Sequence, residues 1–205
     1  SKLKLILEKR RSGSKINTEV VVKIVKDIKK NKTKALLKYE KKFSNNTKIK
    51  PTKIEINKAI KSLDPKIKNA IDFAYSRILK FHSLQKINNI KYTDKLNNKI
   101  EYRYIPIQSV GIYVPSNLPS TLLMNAILAK KIAGVKRVVL ANPRLNGKLN
   151  PAVMYAAKKC GISEIISAGG SQAIASLAYI QKVNKIVGPG NDYVARAKKE
   201  VFGDV

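Results

Sequence analysis

The stretch Ser109-Val-Gly-Ile-Tyr-Val-Pro-Ser-Asn-Leu-Pro-Ser-Thr-Leu-Leu-Met-Asn-Ala-Ile-Leu-Ala-Lys-Lys-Ile-Ala-Gly134 decides the fold. It reads as strand, loop and helix. Val110, Ile112 and Val114 form an apolar run too brief for a helix, and Pro115 to Pro119 break it. Ser120 or Thr121 is then placed to cap a helix that Gly134 closes. Such a unit aims the loop and the free N–H groups of the helix past the carboxyl end of the strand. Open parallel sheets bind ligands there, and a helix N-terminus favours anions such as phosphate. An ordinary connection with nothing bound satisfies the same pattern, so this unit alone leaves both readings open.

Downstream the pattern repeats. Val138 to Ala141 reads as a buried strand ended by Asn142-Pro143, and Asn150-Pro151 caps a helix that stops at Gly161. Glu164 to Ser167 is a third strand, and Gly169-Gly170 turns into an alanine-rich helix. Lys185 to Val187 is a fourth strand, and Gly188-Pro-Gly-Asn191 opens a last helix reaching about Phe202. Strands and helices alternating through short Gly or Pro turns imply a parallel sheet with helices on its faces. From about Ile112 onward the expectation is a three-layer α/β/α domain.

Upstream the chain reads as helical. Val21, Ile24, Val25 and Ile28 form an apolar stripe after the cap candidates Asn17 and Thr18, and Leu36, Tyr39, Glu40 and Phe43 suggest a second helix capped by Thr33. Asp64-Pro65 starts a third, in which Ile67, Ala70, Ile71, Ala74, Ile78 and Phe81 are expected to bury one face. Between Ile90 and Ile107 the period changes to two, with Ile100, Tyr102 and Tyr104 alternating with polar residues and Asp94 to Asn98 supplying a turn, so a hairpin is expected.

At 205 residues the chain holds one sizeable core or two small ones. Its formal charge of +29 raises nucleic acid as a partner. The excess is mostly Lys, spread thinly and accompanied by heavy Ile and Asn usage, and all three residues share A/T-rich codons. A base-composition bias in the source genome therefore accounts for the charge, and no aromatic RNA-binding motif or Cys/His finger spacing points to a specific nucleic-acid partner. Cys160 is the only cysteine, which rules out an internal disulfide and fits a reducing compartment. The apolar run Leu3 to Leu7 is too short for a signal peptide and no stretch approaches a membrane span, so a cytoplasmic protein is expected.

Three strand-to-helix turns carry the possible chemistry: Pro115 to Ser120, Gly169 to Gln172, and Gly188 to Asn191. Glycines let a ligand approach the backbone, and the amides of Gln172 and Asn191 offer donors and acceptors without charge, which suits a polar cofactor or a sugar more than a metal. There is no G-x-G-x-x-G after the first strand and no acidic residue at the end of the second, where Ala141 and Asn142 stand. His82 is the only histidine and sits on a helix flank, so no Ser-His-Asp set and no His/Cys zinc cluster is formed. Glu164 and Asp192 read as polar residues at element ends. No catalytic residue and no metal ligand is assigned in this chain.

Several ordered motifs resemble one family. They are Val-Gly-Ile-Tyr-Val-Pro from Val110, Leu-Met-Asn-Ala-Ile from Leu123, Gly-Gly-Ser-Gln-Ala-Ile-Ala from Gly169, Leu-Ala-Tyr from Leu177 and Lys-Ile-Val-Gly-Pro-Gly-Asn-Asp-Tyr-Val from Lys185. With Leu63-Asp64-Pro65, Phe81-His82 and Ala35 to Tyr39, they resemble the amino-terminal half of histidinol dehydrogenase. The resemblance implies an NAD- and zinc-dependent homodimer that oxidises L-histidinol through the aldehyde to L-histidine in histidine biosynthesis. It implies that Tyr113, Gln172 and Asn191 contact NAD. It also implies two related α/β domains: residues 1–111 as a helical region and hairpin belonging to an incomplete first domain, and 112–205 as an incomplete Rossmann-like domain on the cofactor side. The loop Ser116 to Pro119 is shorter than the family's and lacks its glycine pair. The family's zinc ligands (Gln, His, Asp and His) and its Glu-His catalytic pair fall in sequence expected after Val205, so this chain alone is expected to be inactive. A non-catalytic α/β module for a nucleotide or sugar phosphate is the alternative.

Overall fold

A computed structural model describes residues 17–205. The run Leu3 to Leu7 lies outside the described residues. Helix α1 spans Thr18–Ser44, and its N-cap Asn17 accepts the Val20 N–H through Oδ1 at 3.2 Å. It is two helical segments joined at a kink, because Lys32 leaves the helical region with φ 48° and ψ −129°. The two stripes expected from sequence fall on either side of that break. Helix α2 (Lys53–Lys61) starts with a capping box between Thr52 and Glu55. Helix α3 (Pro65–Ser83) starts where Asp64 Oδ1 accepts the Lys66 N–H at 2.7 Å, with proline at the first helical position.

The expected buried face of α3 needs correction. Only Ile71 is fully buried, with Ala74, Tyr75, Ile78 and Leu79 half-buried against the core, while Ile67, Ala70 and Phe81 are exposed. The contact line runs through Ile71, Tyr75 and Ile78, so residues at the two ends of the apparent stripe rotate away from it.

Strands β1 (Ile90–Thr93) and β2 (Lys99–Tyr102) form the expected antiparallel hairpin, with Ile90 opposite Tyr102 and Thr93 opposite Lys99. Asp94 turns it by accepting the Leu96 and Asn98 N–H groups at 2.8 Å each. All eight strand residues are exposed.

The second sheet is parallel: β3 (Ser109–Tyr113), β4 (Arg137–Ala141), β5 (Glu164–Ile166) and β6 (Lys185–Val187) lie in the order β5-β4-β3-β6. Side chains alternate between faces, as a pleated strand requires. Val110, Ile112, Val138, Leu140 and Ile165 enter one core with α3, α4 (Pro119–Ile127) and α5 (Pro151–Lys159). Tyr113, Val139, Ala141 and Ile166 enter the other with α1, α6 (Gly170–Tyr179) and α7 (Asp192–Glu200). Gly111 makes close packing possible, since a Cβ there would lie 3.0 Å from Leu177 of α6. The result is the three-layer α/β/α architecture expected, with α1 as part of its outer layer.

The chain steps from β3 through β4 to β5 in one direction, then returns to place β6 on the other side of β3. The point of reversal lies between β3 and β6. In open parallel sheets the carboxyl ends of the strands flanking that point form a crevice that receives ligands.

Helix α4 begins at Pro119, with Leu118 at the capping position and no side-chain cap, so neither Ser120 nor Thr121 has the capping role expected. Proline has no N–H to satisfy and its φ is already helical, so it starts the helix without help. The helix continues into a wider π-type turn, Leu128–Ile132, before Gly134 closes it at φ +70°.

Candidate functional site

Tyr113 ends β3 and is 4% exposed. Its hydroxyl accepts the N–H of Gly170, the first residue of α6, at 3.2 Å. Burial pushes the phenol pKa up, the Gly170 N–H acts in the opposite sense, and the charge of Glu40 adds to the rise. Gly188 follows β6 and lies against Tyr113: a Cβ there would come 2.0 Å from the Tyr113 carbonyl oxygen, and its φ is +111°. Only glycine lets the two strand ends meet this closely.

The turn into α6 stands over a buried carboxylate. Glu40 of α1 is 0% exposed, and its Oε1 accepts both the Gly169 N–H at 3.0 Å and Nε2 of Gln172 at 2.9 Å. Its Oε2 is buried with no hydrogen-bond partner. The positive end of α6 thus already faces a carboxylate of the protein itself.

Asn191 is exposed and caps α7, its Oδ1 accepting the Val194 N–H at 3.2 Å. Ser171 Oγ donates to the Tyr193 carbonyl at 3.1 Å and ties the first turn of α6 to that of α7. Lys198 reaches back from α7 to donate to the Gly188 carbonyl at 2.5 Å, and desolvation lowers its pKa. At the end of β4, Asn142 Nδ2 donates to the carbonyls of Val114 and Ser116, both at 2.8 Å, and holds the loop after β3, while its Oδ1 is buried without a partner.

The structure therefore brings Tyr113 and Gln172 into one bonded cluster and links the Asn191 turn to it through Ser171 and Tyr193. The arrangement presents neutral donors and acceptors near the carboxyl ends of β3 and β6 rather than a charged nucleophile. Sequence reading missed Glu40 and Asn142. Glu40 was legible only as an acidic residue within an apolar helical stripe, and a carboxylate on a buried face requires donors from elsewhere in the chain.

Other candidates lie outside this cluster. His82 on α3 is half-buried, with Nδ1 2.5 Å from Gln85 Oε1. Cys160 caps the end of α5, buried, with its thiol pushed up to about 11 by desolvation. Glu164 is paired with Arg137, whose Nη2 lies 2.8 Å from Glu164 Oε2. Among the described residues no three His, Cys, Asp or Glu side chains are grouped so as to hold a metal ion. No helix among them is long and apolar enough to cross a membrane.

The sequence profile of histidinol dehydrogenase matches residues 7–205. The chain belongs to the histidinol dehydrogenase family.

Histidinol dehydrogenase of Pelagibacter ubique is 60% identical over 210 residues, a match covering 99% of this chain and 49% of that protein. Histidinol dehydrogenase of Rhodospirillum rubrum is 39% identical, with 98% of this chain and 48% of the relative covered. The crystal structure of histidinol dehydrogenase from Elizabethkingia anophelis superposes with a TM-score of 0.86 at 37% identity, covering 93% of this chain and 46% of that one. The chain thus spans about half the length of the histidinol dehydrogenases it matches. The motifs carrying the histidinol dehydrogenase likeness, from Val110, Gly169 and Lys185, are the segments that meet at the sheet's point of reversal.

Proposed function

We propose that this chain forms the NAD-binding part of a histidinol dehydrogenase, an enzyme that oxidises L-histidinol to L-histidine in two NAD-dependent steps. One observation carries the reading: Tyr113, Gln172 and the Asn191 turn converge where β3 and β6 end at the switch point of a parallel sheet. The site fits a dinucleotide in kind. Gln172 Oε1 and Asn191 Nδ2 have no partner among the described residues and offer a neutral acceptor and a neutral donor. Tyr113, Gln172 and Asn191 would bind and orient NAD, which accepts hydride when bound. Residues 112–205 would form most of the cofactor-side domain, completed by the start of β3 and by α1 and α3, whose buried faces pack on the two sides of the same sheet.

The described residues do not fit a zinc ion, since they offer no grouped ligand set and the single histidine is engaged with Gln85. No chemical step is assigned to a metal on this chain. In the complete enzyme we place zinc, L-histidinol, the acid-base pair and a second subunit with the remaining sequence, and the enzyme in the cytoplasm.

Titration calorimetry of the 205-residue chain with NAD tests the reading. Weak saturable binding is expected, reduced roughly fivefold or more by Gln172→Ala and by Asn191→Ala, as for the loss of one ligand hydrogen bond. Absence of binding, or equal binding of a plain sugar phosphate, would overturn it in favour of a different α/β ligand module.

A further inference from the structure

The amide of Gln172 has a donor end and an acceptor end of nearly equal size, and which end faces a ligand decides what it recognises. A solvent-exposed glutamine samples both. Here the choice is made from behind. Glu40 Oε1 accepts from Gln172 Nε2 at 2.9 Å and from the Gly169 N–H at 3.0 Å, and Glu40 is fully buried on α1, 132 residues away in sequence. Gln172 is 5% exposed, and with Nε2 held by Glu40 its Oε1 is the end left without a protein partner. Gly170 keeps it uncovered, because a Cβ at that residue would stand 3.2 Å from Gln172 Oε1. The Gly170 N–H is itself taken by the Tyr113 hydroxyl.

We propose that Glu40 is a positioning residue of this site: it fixes the Gln172 amide with its carbonyl oxygen toward the ligand. The first turn of α6 therefore receives a hydrogen-bond donor, a hydroxyl or amide N–H, rather than a phosphate oxygen. A phosphate is disfavoured there because the N–H groups of Gly169 and Gly170 are already engaged and a carboxylate stands beneath them. The inference rests on the NAD reading only for the identity of the ligand, whose ribose hydroxyls and carboxamide supply such donors.

Glu40→Gln preserves size and retains an acceptor for Gly169, but adds an amide that can donate to Gln172 Oε1 and so lets the Gln172 amide turn over. NAD affinity is measured for the 205-residue chain, Glu40→Gln, Gln172→Ala and the double variant, together with the ¹H–¹⁵N signals of the Gln172 side chain. Glu40→Gln is expected to weaken NAD about tenfold, and the double variant to bind no more weakly than Gln172→Ala alone, because Glu40 acts through Gln172. The Gln172 amide protons, well separated in the parent chain, are expected to move toward the solvent-averaged positions in Glu40→Gln.

Additive losses in the double variant, or amide signals unchanged by Glu40→Gln, would overturn the proposal and leave Glu40 a buried support. Failure of the parent chain to bind NAD would overturn the cofactor reading instead, and the amide signals then decide the positioning role by themselves. Circular dichroism establishes whether Glu40→Gln folds. If it does not, Glu40→Leu, which removes the acceptor at similar volume, enters the same cycle under the same criteria.

Discussion

The Tyr113 hydroxyl accepts the Gly170 N–H at 3.2 Å, so the last residue of β3 and the first residue of α6 share one hydrogen bond. Phenylalanine at 113 would fill the same volume and leave that N–H without its acceptor. Tyr113→Phe is expected to cost about 1 to 2 kcal/mol of stability. The proposed NAD affinity should fall as well, because the phenol no longer orients the α6 turn. Denaturant unfolding and calorimetry of the same variant separate the two effects.

Gly188 meets Tyr113 where no side chain fits. Gly188→Ala places a Cβ 2.0 Å from the Tyr113 carbonyl oxygen at a φ of +111°, so the strand ends must separate. A loss of about 3 kcal/mol or more is expected. Gly203→Ala is the control: it also has a positive φ, +94°, but nothing within 4 Å of the new methyl. A thermal midpoint for Gly188→Ala no lower than that of Gly203→Ala would contradict the close contact.

Asp27 holds the two segments of α1 together across the break at Lys32. Its carboxylate accepts from Asn31 at 2.6 Å, Lys38 at 3.0 Å and Tyr39 at 2.9 Å, and these bonds, Asn31 first, lower its pKa from 3.8 to about 2. A depressed carboxylate pKa stabilises the fold above the unfolded value, and that contribution is lost as pH falls through the folded one. The Asp27 contribution should therefore be intact at pH 5 and disappear between about pH 4 and pH 2. Asp27→Asn should flatten the acid limb of the stability profile in that window; an unchanged limb would show that the bonds do not form in solution.

Cys160 should behave as an inert core thiol. Desolvation raises its pKa from 9.0 to about 11, so almost none is thiolate at pH 8. Alkylation by iodoacetamide is expected to be much slower than for a free cysteine and to accelerate on adding denaturant. Prompt labelling of the native chain would place the residue at the surface.

The 205-residue chain is expected to bind no stoichiometric zinc and to show no histidinol-dependent reduction of NAD. His82, its only histidine, is engaged with Gln85 on a helix flank, and Cys160 is buried. A positioned general base contributes about 10² to 10⁴ in rate, and no such group is assigned here. NADH formation by the purified chain, with contaminating full-length enzyme excluded, would show that catalytic groups have been misplaced.

The sequence by itself determined most of the elements and several of their caps, but not the helix Lys53–Lys61 or the uncapped start of α4. Asn17, Asp64, Asn150 and Asn191 each accept a backbone N–H two or three residues on, so both partners lie within one short window of the chain. The apolar runs at Val110 to Val114 and Val138 to Ala141 likewise carry their own signal, because a strand buried on both faces needs apolar residues throughout. Motif likeness fixed the family for the same reason: the turns at Gly169 and Gly188 are local. What only the tertiary structure decided is which distant residues meet. The placement of β6 beside β3, the close fit of Gly188 against Tyr113 and the burial of Glu40 beneath Gln172 all join residues far apart in the chain. Glu40 in particular reads in sequence as one polar residue in a helical stripe. Its partners are supplied by α6, and burial of its carboxylate is tolerable only once those donors have been packed against it.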